Sequence, residues 1–156
     1  MQITPLHDWN LTPKQAIALQ KDMADRVIFD IPLDIDTINY VAGVDVSVKN
    51  NVSRAAVVVM CFPDLQIVET ALATQPTPFP YISGLLTFRE GPVLIEAFEK
   101  LNITPDVFIF DGMGRIHPRR MGIAAHMGLW LEKPTVGCGK THLIGDYADP
   151  ALEKGS

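Results

Sequence analysis

Three strand-forming runs, at residues 40–48 (YVAGVDVSV), 54–62 (RAAVVVMCF) and 67–74, follow one another across very short gaps, the first holding Lys49-Asn50-Asn51 and the second Pro63-Asp64. Connections this short reverse the chain, so the runs are expected to pair antiparallel as a meander. The third run alternates polar and apolar residues more strictly, which places it at an edge or on a solvated face. Downstream, an apolar run at 107–110, an almost wholly apolar helical stretch at 121–131 and a run at 135–138 read as strand, helix and strand, a unit whose two strands lie parallel. The reading is an α/β fold whose mixed sheet, an antiparallel three-strand meander followed by parallel strands, is flanked by helices.

The helices announce themselves by period and by caps. Thr12, Pro13 and Gln15 form a capping box with proline at the first helical position, and Ile17, Gln20, Met23, Ala24, Val27 and Ile28 follow at helical spacing, so a helix is expected over 13–29. Val93, Leu94, Ala97, Phe98 and Leu101 mark a second helix, expected to begin close to Glu90 with Pro92 in its first turn. Between meander and second helix, Pro76, Pro78 and Pro80 stiffen a loop with Tyr81 as its aromatic tip, followed by Ile82-Ser83-Gly84.

At 156 residues, 47% hydrophobic and 20% charged, the chain is expected to form one domain over 1–156 with a full core. No apolar run reaches membrane-spanning length and no signal segment leads the chain, so a cytoplasmic protein and no membrane partner are expected, with a monomer as the default. Cys61 and Cys138 lie in apolar strand-like segments and read as buried thiols; His7 and His142 are not spaced with them as zinc ligands are. The net charge of −5 speaks against non-specific coating of nucleic acid but leaves room for a local basic site, since bound cations supply charge as well. After Gly139 the sequence turns polar; its end reads as cut, and Gly155-Ser156 as a cloning remnant.

Asp111 closes the strand at 107–110 and is followed at once by Gly112, Gly114, His117, Arg119 and Arg120. The two arginines fall where the third helix is expected to begin, the end that disfavours cations, a placement that makes most sense if an anion arrives there. Asp45 interrupts an apolar strand, which is costly unless the carboxylate is paired or metal-bound. If the first and fourth strands are neighbours, Asp45 and Asp111 converge, and Glu90 shares a helix side with Leu94, Ala97 and Leu101, the side expected to face the sheet. Three such carboxylates suit Mg²⁺, with Mn²⁺ as substitute, and metal-dependent phosphodiester cleavage. Each residue alone has a plainer reading: Asp45 as a partner of backbone donors, Glu90 as a helix-start acid, Asp111 as a turn residue, His117 as a helix-start hydrogen bonder, Tyr81 as loop packing, and His126 as a satisfied core residue.

The motifs GVDVS (43–47), PYISG (80–84), FRE (88–90), DGMGRIHPRR (111–120) and PTVGCGK (134–140) make the chain resemble the endonuclease V family, inosine-directed repair nucleases with a ribonuclease H-like fold. The resemblance implies that Asp45, Glu90 and Asp111 hold Mg²⁺, that His117 and Lys140 stand near the scissile phosphate, and that Tyr81 is a wedge entering the duplex. It further implies a base pocket built by Gly84, Gly112, Gly114, Ile123 and Leu143, and Arg119 and Arg120 binding phosphate. The implied reaction is hydrolysis of the second phosphodiester bond 3′ to deoxyinosine in DNA, leaving a 3′-hydroxyl and a 5′-phosphate. Ser83 stands where the family usually has proline, and Met113 where a polar residue is more typical. Family members usually continue into a C-terminal segment that packs on the sheet and adds an active-site side chain, so an impaired form that binds the lesion without cutting is one alternative. Inosine-containing RNA as the substrate is another, and a ribonuclease H-like domain without nuclease activity a third.

Overall fold

The computed structural model describes residues 1–153, so Gly155-Ser156 lies outside the described residues. The chain runs α1 (Pro13–Ala24), β1 (Tyr40–Lys49), β2 (Val52–Cys61), β3 (Ile67–Pro76), α2 (Leu86–Glu99), β4 (Val107–Asp111), α3 (Ile123–Leu131) and β5 (Thr135–Cys138), with a 3₁₀ turn at Ile35–Thr37. The sheet order is β3-β2-β1-β4-β5, antiparallel through the meander and parallel from β1 to β4 and from β4 to β5. The expected α/β fold is present, with β3 at an edge. Between β1 and β2 only Asn50 and Asn51 intervene, at φ of 53° and 56°, a double left-handed turn whose twist matches a hairpin and which asparagine tolerates better than most residues.

Alternation along the strands separates two faces. Ala42, Val44, Ala55, Val57, Val59, Ala71, Ala73, Phe108 and Phe110 form one core with Val93, Leu94, Ala97 and Phe98 of α2 and Met127 and Trp130 of α3. Phe98 meets Phe108 edge-on at 5.4 Å between ring centroids. The opposite face, with Gly43, Asp45, Ala56, Val58, Ile109, Asp111 and Cys138, lines a shallow cavity of about 370 Å³ that no described helix covers. The flanking is therefore one-sided among the described residues, and α1 stacks outside α2 and α3 through Ala16 and Met23. Two expectations change in consequence. Asp45 is an exposed strand acid, not a buried one, and Cys138 is an exposed thiol, with Cys61 half-buried.

Helix boundaries differ from the periodic reading in ways that local bonds explain. In α1 the capping box forms, Gln15 Oε1 accepting from the Thr12 amide at 2.9 Å, but the helix ends at Ala24, where Arg26 and Val27 turn back to the Met23 and Ala24 carbonyls. Ile28 and Phe29 continue as an exposed strap, the Phe29 ring lying 3.3 Å from the Arg115 guanidinium. The second helix starts at Leu86 without a side-chain cap, which puts Pro92 inside it and Glu90 beyond its first turn. A proline there forfeits one helical hydrogen bond, and packing of Phe88, Val93, Leu94, Ala97 and Phe98, each 0% exposed, offsets the loss. No described helix is long and apolar enough to cross a membrane.

Gly91 of α2 lies under the Trp9 indole, with which an added Cβ would clash. Alanine there gains about 1 kcal/mol of helix propensity, yet overpacking against a ring held by Trp130, stacked at 4.9 Å, costs roughly 1–3 kcal/mol. Gly91→Ala is thus expected to lower stability, read as a reduced midpoint in urea; an increase would mean that the N-terminal segment yields without cost.

Candidate active site

The strand register builds the acidic end of the sheet. Val44 pairs with Phe110, so Asp45 and Asp111 follow as the next residues on adjacent parallel strands and line the same open cavity. Glu90 reaches toward them from α2 and is half-buried. Burial, and then the negative charge of Asp45, push its acid up to about 7; Arg89 pulls the other way, and Asp111 adds the smallest push. Lys140 Nζ donates to Asp111 Oδ2 at 2.7 Å, and that contact raises the lysine further above its usual range. The charges of both strand acids therefore reach Glu90. As placed, however, no group of three His, Cys, Asp or Glu side chains among the described residues could hold a metal ion. The donor chemistry still fits a hard divalent cation, since it consists of carboxylate oxygens and a cation would offset the negative charge that Asp45 and Asp111 set against Glu90.

Beyond Asp111 the chain forms one wall of a cleft of about 200 Å³, lined by Tyr81, Ser83, Gly84, Met113, His117, Arg119, Met121, Ile123 and Leu143 among others. Tyr81 stands 74% exposed at the tip of the proline-stiffened loop, available to a partner instead of packed into the protein. Of the five expected pocket residues, Gly84, Ile123 and Leu143 line this cleft. Gly114 opens on a neighbouring cavity of about 620 Å³ that also holds Arg115, Lys140 and His142, and Met113 lines both spaces. Gly112 lines neither and instead packs on Ile123, whose Cγ2 would lie 2.6 Å from a Cβ there.

The segment from His117 to Arg120 is a turn, with Arg120 at φ 55°, and α3 begins only at Ile123. The amides of Gly122 and Ala124 donate to the Gly114 and Met113 carbonyls, so the expected anion site at a helix start carrying the two arginines is not formed. Arg119 turns inward: its Nε donates to Gln20 Oε1 at 2.7 Å and its Nη2 to the Gly84 carbonyl at 2.7 Å. Arg120 remains exposed. His117 is 5% exposed, and its Nδ1 accepts from the Arg119 and Met121 amides. Nε2 therefore carries the proton and donates to the Gly84 carbonyl at 3.1 Å, while burial and the Arg119 charge hold the ring below the usual histidine range. Neither nitrogen is turned outward to a phosphate.

Gln20 is the participant that sequence reading missed. It was visible as a glutamine on the buried stripe of a helix, between Ala16 and Met23, where a merely packed position takes an apolar residue.

The family model for endonuclease V matches residues 21–156. Endonuclease V of Nostoc punctiforme is 47% identical over 152 residues, which cover 96% of this chain and 68% of that protein. The crystal structure of the Bacillus subtilis endonuclease V superposes with a TM-score of 0.88 at 32% identity, covering 98% of this chain and 68% of the other. The Ciona intestinalis endonuclease V, solved in complex with a 24mer DNA containing an inosine followed by a ribo-adenosine, gives a TM-score of 0.74 at 29% identity, over 82% of this chain and 57% of that one.

Proposed function

The chain belongs to the endonuclease V family of nucleases, and from that premise we propose that it is a Mg²⁺-dependent repair endonuclease which recognises deoxyinosine in DNA and hydrolyses the second phosphodiester bond 3′ to it. One observation carries the reading: an exposed tyrosine and a small cleft lie in continuous chain with Glu90 and Asp111, and the charges of Asp45 and Asp111 reach Glu90. A cleft of about 200 Å³ is too small for an extended ligand and suits a single displaced base. Tyr81 fills the gap that the base leaves in the duplex. Gly84, Ile123 and Leu143 surround the base, while Gly112 and Gly114 shape the wall behind it.

Asp45, Glu90 and Asp111 would hold the divalent ion, Mg²⁺ or in its place Mn²⁺, which when bound activates water and polarises the phosphodiester. Lys140 neutralises Asp111 and, with Arg120, presents positive charge to the DNA backbone. His117 and Arg119 act by holding the Gly84 carbonyl, and so the loop that bears Tyr81, in place. We assign all of residues 1–156 to this one nuclease domain, acting as a cytoplasmic monomer.

A second substrate, inosine-containing RNA, is favoured by the ribonucleotide that follows inosine in the Ciona complex. A single test separates the possibilities: a duplex with one deoxyinosine, its undamaged counterpart and a matched inosine RNA, each in Mg²⁺ and in chelator. Mg²⁺-dependent cutting one nucleotide beyond deoxyinosine is expected. Preference for the RNA would move the substrate, selective binding without cutting would indicate an impaired nuclease, and indifference to inosine would overturn the proposal.

A further inference from the structure

We propose that Gln20, on α1 and remote in sequence from every motif of the site, is a positioning residue that sets the spacing of the two cleft walls and thereby the enzyme's preference for inosine; this rests on the reading of the cleft given above. Three donors converge on the Gly84 carbonyl: Gln20 Nε2 at 3.0 Å, Arg119 Nη2 at 2.7 Å and His117 Nε2 at 3.1 Å. Gln20 Nε2 also donates to the Met121 carbonyl at 3.0 Å, and its Oε1 accepts from Arg119 Nε at 2.7 Å. One side-chain amide thus bonds the wall that contains Gly84 to the wall that contains Arg119 and Met121, using both its donors and its acceptor. At 1% exposure there is no solvent to take over any of these bonds.

Gly84 makes the link specific. It holds a left-handed backbone at φ 78°, and a Cβ there would meet Arg119 Nη2 at 2.6 Å, so the carbonyl can be approached this closely only at glycine. A carbonyl oxygen offers two lone pairs to the three donors. Loss of Gln20 consequently leaves Gly84 bound to Arg119 and His117, and the wall shifts without being released. The expected phenotype is altered recognition in a folded protein.

The test compares Gln20→Met, Gln20→Glu and Arg119→Lys with wild type and with Val57→Ala, a core truncation in β2 away from the cleft. Dissociation constants are measured by fluorescence anisotropy in chelator, for otherwise identical duplexes carrying deoxyinosine, deoxyguanosine or deoxyadenosine at one position; cutting is not required. Gln20→Met is expected to weaken deoxyinosine binding roughly tenfold, the equivalent of about one buried hydrogen bond, and to narrow the preference over deoxyguanosine by a similar factor. Gln20→Glu sets a carboxylate against two carbonyls and is expected to do more. Arg119→Lys keeps the charge, loses the planar fork and shows the same narrowing, which keeps the inference testable should the Gln20 variants not fold. An unchanged preference in the folded variants overturns the proposal, as does an equal narrowing in Val57→Ala at matched loss of melting temperature. Wild type without inosine preference would remove the functional reading and this inference together; wild type that binds inosine selectively but does not cut removes only the assignment of activity.

Discussion

Asp45→Asn is expected to abolish metal-dependent cleavage while leaving the protein folded and able to bind an inosine duplex. Metal catalysis supplies several kcal/mol of transition-state stabilisation; a loss of about 4 kcal/mol corresponds to a fall in rate of roughly a thousandfold. The amide is tolerated structurally because Asp45 lies exposed on the uncovered face of β1. It also removes one of the charges that push Glu90 up, so the metal-free protein is expected to melt no lower than wild type. Asp111→Asn is expected to behave alike, with Lys140 released from its ion pair. Initial rates on a deoxyinosine duplex across a Mg²⁺ titration, beside thermal melts and gel shifts, provide the check. Cleavage near the wild-type rate in both variants would dismantle the metal site.

The second large effect concerns acid stability and lies away from the chemistry. His7 Nδ1 bonds the Asp8 carbonyl at 2.9 Å and must carry a proton, so its Nε2 accepts, from Trp130 Nε1 at 3.0 Å and from His126 Nε2 at 2.7 Å. His126 Nε2 is then the protonated nitrogen and Nδ1 is left buried without a partner among the described residues. With the Trp9 and Phe88 rings against it and 0% exposure, His126 has no acceptor for a second proton, and burial lowers it to about 3, with His7 and His117 adding to the effect. A histidine lowered on folding takes up protons preferentially in the unfolded chain. Its contribution to stability is therefore complete above about 6.5 and is lost as pH falls toward 3.

At about 1.4 kcal/mol per pH unit for one proton, the loss from His126 reaches roughly 3 kcal/mol by pH 4. Glu90 works in the opposite direction, since an acid raised on folding gains stability as pH falls below about 7. The quantity to measure is accordingly the difference between wild type and His126→Leu in urea unfolding at pH 4 and pH 7.5. At neutral pH the variant is expected to lie within about 1 kcal/mol of wild type, because the lost histidine pair is offset by removal of an unpartnered buried nitrogen. At pH 4 the variant is expected to be the more stable by a few kcal/mol. Parallel pH profiles would show that the N-terminal segment opens before the histidine titrates.

Much of this was legible from local patterns. The three runs and their short turns required a meander, and a strand–helix–strand unit required parallel pairing, because chirality and chain length leave few other connections. Asp45, Glu90 and Asp111 stood out because acids in apolar settings need a reason. Where the reading failed, distant packing had decided. The periodicity that carried α1 on to residue 29 counted Val27 and Ile28 as helical, but the chain turns away after Ala24, so that Val27 still packs against Met23, Met121 and Ala125 while Ile28 is left exposed. The helix start near Glu90 was inferred from Pro92, yet burial of Phe88 and Val93 outweighs the hydrogen bond that proline removes.

The amino-acid sequence by itself determined the element types, the sheet's mixed character and which acids and glycines could matter, since each follows from side-chain chemistry and spacing within a few residues. Only the tertiary structure decided which way those groups turn. It set Arg119 and His117 inward onto Gly84, left Asp45 and Asp111 on an open face, and brought Gln20 from the first helix behind the cleft wall, bonded to Gly84 and Met121. Such outcomes depend on which buried polar groups find partners, and those partners lie on distant segments, 101 residues apart for Gln20 and Met121, that local pattern cannot pair.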